Sequence, residues 1–317
     1  MLDSLDLSSA PGADLAIEVA GLCKSYGAVR AVDGLSFSVP AGEIFGMLGP
    51  NGAGKSTTVE ILIGLRQRDG GEVRVLGRDP KRHPTAIKRR IGVQLQITAL
   101  YPRLTVKETV RLFASFFPKT LPIAEAIARV GLEEKADDRV DRLSGGQAQR
   151  LSVALAMIND GDIIFLDEPT TGLDPQARRS LWDVILELKE AGKTVFLTTH
   201  YMDEAERLCD RVAVVDHGQI IAMGSPAKLI RDNFHEQALE FNQPALGNHV
   251  DLQTLPGVIR MQQEGESTTL YTDQAPRTIA ALMEASANAN LPVSDMTVRQ
   301  ATLEDVFLKL TGRRIRE

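Results

Sequence analysis

The sequence predicts an α/β protein in two parts: a largely parallel sheet wrapped by helices, then a small α+β domain. Three observations carry this. Apolar strand-like runs alternate with amphipathic helical stretches from residue 15 to about residue 234, the ordering that builds a parallel sheet covered on both faces. A glycine-rich turn, GPNGAGKST at Gly49 to Thr57, lies between a strand and a helix, where a phosphate-binding loop has to be. Near Asn233 the element order changes, and 317 residues exceed the roughly 250–300 at which a single hydrophobic core stops growing.

Residues 1–14, MLDSLDLSSAPGAD, lack the basic start and apolar run of a secretion signal and read as a flexible leader. LAIEVAG (15–21) and GLSFSV (34–39) alternate apolar with polar residues, as strands do. EIFGML (43–48) is a continuous apolar run of the kind buried strands show. A helix starts at Lys55, with Val59, Leu62, Ile63 and Leu65 at helical spacing, and EVRVLG (72–77) and RIGVQL (90–95) follow as short strands.

From about 97 to 160 the chain reads as a helical subdomain inserted into the α/β core. VKETVRLFASFF, LPIAEAIARVGL and QAQRLSVALAMI all place apolar residues three and four apart, one face of a helix. DIIFLDE, TVFLTTH and DRVAVVDHG are then strands, separated by the helices PQARRSLWDVILELKEAG and YMDEAERLC. Residues 15–234 thus form the first domain and 235–317 the second. The second reads as strand EQALEFN, a turn or short helix, strands VIRMQQEG and TTLYTD, helix PRTIAALMEASANAN, strand PVSDMTVRQ and helix TLEDVFLKLTG. That order approximates β-α-β-β-α-β, a ferredoxin-like pattern. In the closing helix Leu303, Val306, Phe307 and Leu310 make the packing stripe.

Composition excludes several classes. Hydrophobic residues at 43% and charged residues at 25% are those of an ordinary globular protein. Basic residues number 36 against 42 acidic ones, which argues against a protein that coats nucleic acid. No apolar run reaches the roughly 18 residues of a membrane span. Cys23 and Cys209 have no metal-type spacing and read as buried thiols in a reducing cytoplasm.

In GPNGAGKST the glycines let the backbone curl so that amide hydrogens point at a β-phosphate, reinforced by the positive end of the following helix. Lys55 then reaches the β- and γ-phosphates, and the Ser56 hydroxyl faces magnesium. Asp167 ends the apolar strand DIIFLDE, the position where ligands sit in doubly wound sheets, and is the candidate to hold the metal through water. Glu168 follows, placed to take a proton from an attacking water. A second loop, LSGGQAQR at Leu143 to Arg150, opens a helix with a hydroxyl and free amides but no lysine; it reads either as a further anion site or as helix capping by Ser144.

GPNGAGKST, LSGGQAQR, FLDEPTTGLDP and LTTH, in this order, resemble the nucleotide-binding subunit of an ABC transporter over about residues 15–232. LSGGQ is the piece that other phosphate-loop classes do not share. The resemblance implies a P-loop NTPase core with an antiparallel β subdomain and a helical signature subdomain, ATP and Mg²⁺ as cofactors, and ATP hydrolysis coupled to transport. It implies contacts to nucleotide from Gly49, Pro50, Asn51, Gly52, Ala53, Gly54, Lys55, Ser56 and Thr57. Tyr26 falls where the family stacks a ring on adenine, although packing explains a tyrosine there equally well. Gln96 resembles the glutamine that senses magnesium and the attacking water; Leu95 replaces the usual proline before it, and Gln94 is a rival. His200 resembles the histidine that bonds the γ-phosphate. Ser144, Gly145, Gly146, Gln147 and Asp174 resemble the residues that act across a head-to-tail dimer.

The implied partners are a separate transmembrane permease and a second ATPase subunit, identical or related, with no nucleic acid. The implied location is cytoplasmic, peripheral on the inner membrane face through the permease, whose coupling helix would meet the surface from about Gln96 to Lys107, with Tyr101 and Leu104 exposed. TLEDVFLKLTG resembles the end of ATPases paired with drug, antibiotic, lipid or polysaccharide exporters. Two other readings, a soluble ABC ATPase acting on DNA or ribosomes and a nucleotide-binding regulator without turnover, are met by the absence of a long coiled coil or second cassette and by the intact Lys55, Asp167, Glu168 and His200.

Overall fold

A computed structural model describes residues 14–96, 100–234, 236–242, 246, 250–264 and 267–312. Apart from Asp14, the expected leader lies outside the described residues. The chain forms two compact units that divide between Pro226 and Ala227, ahead of the boundary at 234 that the sequence suggests.

The first unit is built on a six-stranded sheet. Its strands are β3 (Ile44–Leu48), β5 (Ile91–Gln94), β6 (Ile163–Asp167), β7 (Thr194–Thr199), β8 (Arg211–Asp216) and β9 (Gln219–Gly224), in the order β5-β6-β7-β3-β8-β9. All neighbours are parallel except β8 and β9. β3, β6 and β7 are buried at every position, and this is why they read as unbroken apolar runs. Phe45, Phe165 and Phe196 lie at matching register on these three strands and meet at 5.6 Å between centroids. Phe37, on β2 (Val29–Pro40), stacks on Phe45 at 5.4 Å. It thereby joins the antiparallel sheet of β2, β1 (Leu15–Tyr26) and β4 (Gly70–Val75) to the same core.

Helix α1 (Lys55–Leu62) follows β3, and α2 (Pro84–Lys88) precedes β5. The helical segment contains α3 (Val106–Ala114), α4 (Ile123–Ala128) and α5 (Gly145–Met157). The first two are shorter than their apolar periodicity suggests, and Phe116 and Phe117 lie in turns beyond α3. In α5 every residue from Leu151 to Met157 is buried, so the stripe read from the sequence belongs to a helix whose C-terminal half is enclosed on all sides. Helix α6 (Pro175–Glu190) links β6 to β7, and α7 (Met202–Leu208) links β7 to β8. Strand β9 and helix α2 went unread because both are short and only partly buried. Cys209 is buried, whereas Cys23 is partly exposed, contrary to the expectation of two buried thiols.

The second unit opens with most of α8 (Pro226–Asn233), which the sequence reading also missed, and holds a four-stranded antiparallel sheet. Its strands β10 (Gln237–Asn242), β11 (Val258–Glu264), β12 (Ser267–Thr272) and β13 (Ser294–Arg299) lie in the order β11-β12-β10-β13. This is the split arrangement of the ferredoxin-like pattern. Between β10 and β11 the described residues show a 3-10 turn at Leu252–Thr254 in place of a helix. Helix α9 (Ala275–Asn288) supplies Leu282 to a core with Leu239, Phe241 and Leu270. The final helix, α10 (Leu303–Thr311), is capped by Thr302 and Asp305 and buries Leu303, Val306 and Phe307. Leu310 is 42% exposed: it stands in the last turn before Gly312, whose φ of 71° ends the helix, so the stripe stops one residue short of the expectation.

Candidate functional site

The loop between β3 and α1 has one permissible residue at position 54. Gly54 has φ of 100°, and a Cβ there would lie 2.2 Å from the Ala31 carbonyl oxygen, so only glycine fits. Asn51 and Gly52 are exposed, Ala53 and Gly54 buried, and Ser56 and Thr57 intermediate. The Ala53 amide donates to Pro50 O at 3.2 Å. Lys55 is only 4% exposed. Its Nζ donates to Gly49 O at 2.8 Å and Pro50 O at 3.1 Å, and lies 3.1 Å from Glu168 Oε1. Burial pushes the lysine pKa down, and the Glu168 carboxylate opposes it.

Asp167 and Glu168 occupy the end of β6. Asp167 Oδ1 accepts from the Ser56 hydroxyl at 3.2 Å and from the Thr198 hydroxyl; burial raises its pKa despite both donors. Glu168 takes a left-handed backbone, with φ of 48°, which turns its side chain back over the strand ends. Its amide donates to the Thr198 hydroxyl at 3.0 Å. Its Oε2 accepts from Gln96 Nε2 and from the Thr171 hydroxyl, each at 3.2 Å. His200 Nδ1 stands 3.3 Å from the same oxygen, close but not aligned as a hydrogen-bond donor. The imidazole, with help from Lys55 and against the cost of burial, holds the Glu168 pKa down at about 2. One carboxylate therefore gathers Lys55, Gln96, Thr171 and His200 from four separate segments.

Gln94, the rival glutamine, is buried at the end of β5 and donates to Leu95 O; Gln96 is the one that reaches Glu168. Tyr26 ends β1, is 41% exposed, and has Lys24 Nζ 5.6 Å and the Arg66 guanidinium 5.2 Å from its ring centroid. The ring is an open plate with cations beside it. Thr198 and Thr171 were not singled out in the sequence; the only signal is a pair of hydroxyls at the end of an otherwise apolar strand and another after the acidic pair.

Ser144 and Asp174 form a second constellation. Ser144 and Gln147 make a capping box, with the Gln147 amide donating to the serine hydroxyl at 3.3 Å and the Ser144 amide to Gln147 Oε1 at 2.9 Å. Asp174 Oδ1 caps α6 by accepting from Gln176 N and Ala177 N at 3.0 and 2.9 Å. The two helix starts pack closely: a Cβ on Gly146 would come within 2.9 Å of the Ala177 Cβ, whereas Gly145 faces open space. Ser144, Gly145 and Asp174 are exposed, and none of the hydrogen bonds just given reaches the Lys55–Glu168 cluster.

A third feature is an apolar groove of about 450 Å³, lined by Leu65, Val93, Leu95, Phe113, Phe116 and Leu155 among others. Phe116 is 65% and Leu65 57% exposed. The groove lies beside the segment from Gln96 to Lys107 rather than on it; there, Tyr101 is exposed and Leu104 only partly so, and Ile97 to Ala99 lie outside the described residues.

Residues 32–171 match the model of the ABC transporter family, and residues 251–312 match that of the C-terminal domain of the nodulation factor export protein NodI. A Nod factor export ATP-binding protein I from Ralstonia nicotianae is 42% identical, over 95% of this chain and 95% of its own. Its counterpart from Rhizobium sp. (strain N33) is 43% identical, over 94% and 98%. A dimeric ATP-binding cassette solved in a post-hydrolysis state with ADP and Pi is 28% identical, with a TM-score of 0.60 over 66% of this chain and 98% of that one. A Clostridium perfringens protein that is part of an ABC transporter complex is 26% identical, with a TM-score of 0.61 over 69% and 94%.

Glu168 is held at about 2, against about 4.3 in an unfolded chain. Its ionisation therefore favours the folded state above about pH 4.3, and that contribution is lost as pH falls through 2. Urea unfolding of wild type and Glu168→Gln should show a stability gap that is flat above about pH 5.5 and narrows steadily below it. A gap independent of pH would mean that the His200 and Lys55 contacts do not act on this carboxylate.

Proposed function

The chain belongs to the ATP-binding subunits of ABC transporters, and on that premise we propose that it energises export by closing head to tail on a second ATPase subunit, its own copy or a related chain, across two ATP molecules. The observation that carries the reading is the gathering of Lys55, Gln96 and His200 around one buried carboxylate, with exposed helix starts at Ser144 and Asp174 satisfied apart from it.

In this reading the amides of Gly49 to Thr57 cradle the phosphates, and Tyr26 stacks on adenine. Lys55 exchanges Gly49 O, Pro50 O and Glu168 for β- and γ-phosphate oxygens. That exchange removes one of the charges holding Glu168 down and brings its proton affinity closer to that of a working base. Glu168 then accepts the proton of the attacking water, Gln96 orients that water, and His200 bonds the γ-phosphate. The Ser56 hydroxyl and Asp167 carboxylate, 3.2 Å apart, are hard oxygen donors that suit Mg²⁺, directly or through water; the ion would neutralise charge on the transferred phosphoryl group. Ser144, Gly145, Gly146, Gln147 and Asp174 serve the partner's nucleotide, and two-fold symmetry supplies one such set to each site.

No helix among the described residues is long and apolar enough to cross a membrane, so the pathway lies in a separate permease. The groove around Phe116 and Leu65 suits an amphipathic helix of that partner, since an open apolar groove of this kind is a common helix-docking surface. The subunit then sits on the cytoplasmic face of the membrane. Relatives that export Nod factor support export as the direction, and the permease selects the cargo. Residues 235–317 steady or regulate the dimer.

Three outcomes test this. Glu168→Gln should bind ATP, become dimeric on doing so, and turn over about 10²–10⁴-fold more slowly; retained turnover removes Glu168 as base. Gly145 is the cleaner probe of action in trans, because Gly146 also packs against Ala177. A mixed dimer of a Lys55→Ala copy and a Gly145→Trp copy should keep at most one competent site, and two fully active sites would sink the head-to-tail arrangement. Phe116→Asp should reduce recovery of the membrane partner by at least about fivefold, as loss of an apolar anchor does; undiminished recovery puts the permease elsewhere.

A further inference from the structure

Glu204 is a carboxyl with no work assigned to it. It lies on α7 and is fully buried, at 0% exposure; the ionisable groups coupled to it are Asp203 and the Cys209 thiol, neither of them a cation. A leucine would fill such a place at far less cost in desolvation, so the carboxyl must be binding something.

Its partners come from three segments of the nucleotide site. Trp182 of α6 donates its indole N–H to Glu204 Oε1 at 3.0 Å. The hydroxyls of Thr199 and Thr170 face the same carboxyl. Thr199 Oγ1 accepts from Tyr201 N at 2.9 Å, which leaves its own hydrogen for Glu204. The Thr170 hydroxyl and Glu204 Oε2 are both buried without an aligned hydrogen-bond partner, so Thr170 stands beside the carboxyl without a formed bond to it. Thr199 immediately precedes His200, and its carbonyl accepts from Gly49 N at 3.3 Å, at the start of the phosphate loop. Thr170 lies within the stretch from Glu168 to Asp174. A second tie joins the same helices one turn earlier. The Arg178 guanidinium lies 4.1 Å from the Tyr201 ring centroid and 3.7 Å from Asp203, and residues four apart on a helix share a face.

We propose that Glu204 is a positioning residue, a single buried carboxyl that holds the loop from Glu168 to Asp174 in fixed relation to the strand end carrying His200. Burial raises its pKa, and its Oε1 serves as the acceptor for the Trp182 indole. When the Asp174 loop shifts with dimer closure, α6 carries Trp182 along, and Glu204 transmits that shift to Thr199 and His200. The inference rests on the reading that His200 and the Asp174 loop act at the nucleotide.

The test is steady-state ATP hydrolysis and ATP binding by the full chain. Glu204→Ala should lower kcat by about tenfold or more while the Kd for ATP moves less than about threefold, because the phosphate loop is left intact. Glu204→Gln keeps the acceptor oxygen that Trp182 needs and should retain most of the activity. In a Thr170→Val background the further loss from Glu204→Ala should shrink, since the two substitutions break one contact. Unchanged kcat in Glu204→Ala, equal loss in the Gln and Ala variants, or Kd rising in step with the fall in kcat would each overturn the proposal. Should Glu204→Ala not fold, Trp182→Phe decides the matter: a lower kcat at constant Kd supports the proposal, and wild-type kcat removes it. A wild-type chain without ATP turnover would fail the earlier reading instead.

Discussion

The architecture turns on the burial of three charges in one place. Lys55, Asp167 and Glu168 are each at most 5% exposed, and an isolated ion in such a position is far too costly to keep. They are tolerable only together, with Lys55 against Glu168 and with the hydroxyls of Ser56 and Thr198 on Asp167. That requirement dictates the strand order. β6, β7 and β3 must be consecutive neighbours, so that the acidic pair, the threonine and histidine, and the phosphate loop emerge side by side. The tilted, contacting rings of Phe45, Phe165 and Phe196 hold those three strands in register, and the dry core below keeps the charges above from being hydrated apart.

This part of the fold was also the most legible in the sequence. A strand covered on both faces has no polar positions, so β3, β6 and β7 announce themselves, and the residues that follow them are the functional ones. Elements governed by local contacts were harder to see. β9 is only partly buried along its length and lacks the contrast that marks a strand. Apolar spacing overstates α3 and α4 because Phe113, Phe116 and Phe117 line a groove rather than one continuous helix face. The choice between Gln94 and Gln96 needed coordinates: β5 stops at Gln94, so strand alternation no longer governs where Gln96 points. Thr198 was unreadable because its role, donating to Asp167 while accepting from the Glu168 amide, exists only once β6 and β7 are paired.

The second unit was read well in its strand order and less well in its helices. Between β10 and β11 the sequence carries Pro244, Gly247, Pro256 and Gly257, residues that oppose a regular helix, and the described part of that connection is a short 3-10 turn. Leu246 and Leu252 nonetheless join the core beside Leu270 and Leu282, so the described residues of this connection do part of the covering that a helix does in the ferredoxin-like pattern. Apolar content alone does not distinguish the two solutions.

The capping box at Ser144 has a consequence for how subunits are held in reserve. Ser144 and Gln147 satisfy each other's amides within one chain, while the amides of Gly145 and Gly146 are left over for water or an anion, as at any helix start. The helix start is thus capped without a partner chain, and its remaining amides stay available to a ligand. Pairing at such an end follows nucleotide occupancy and concentration rather than folding.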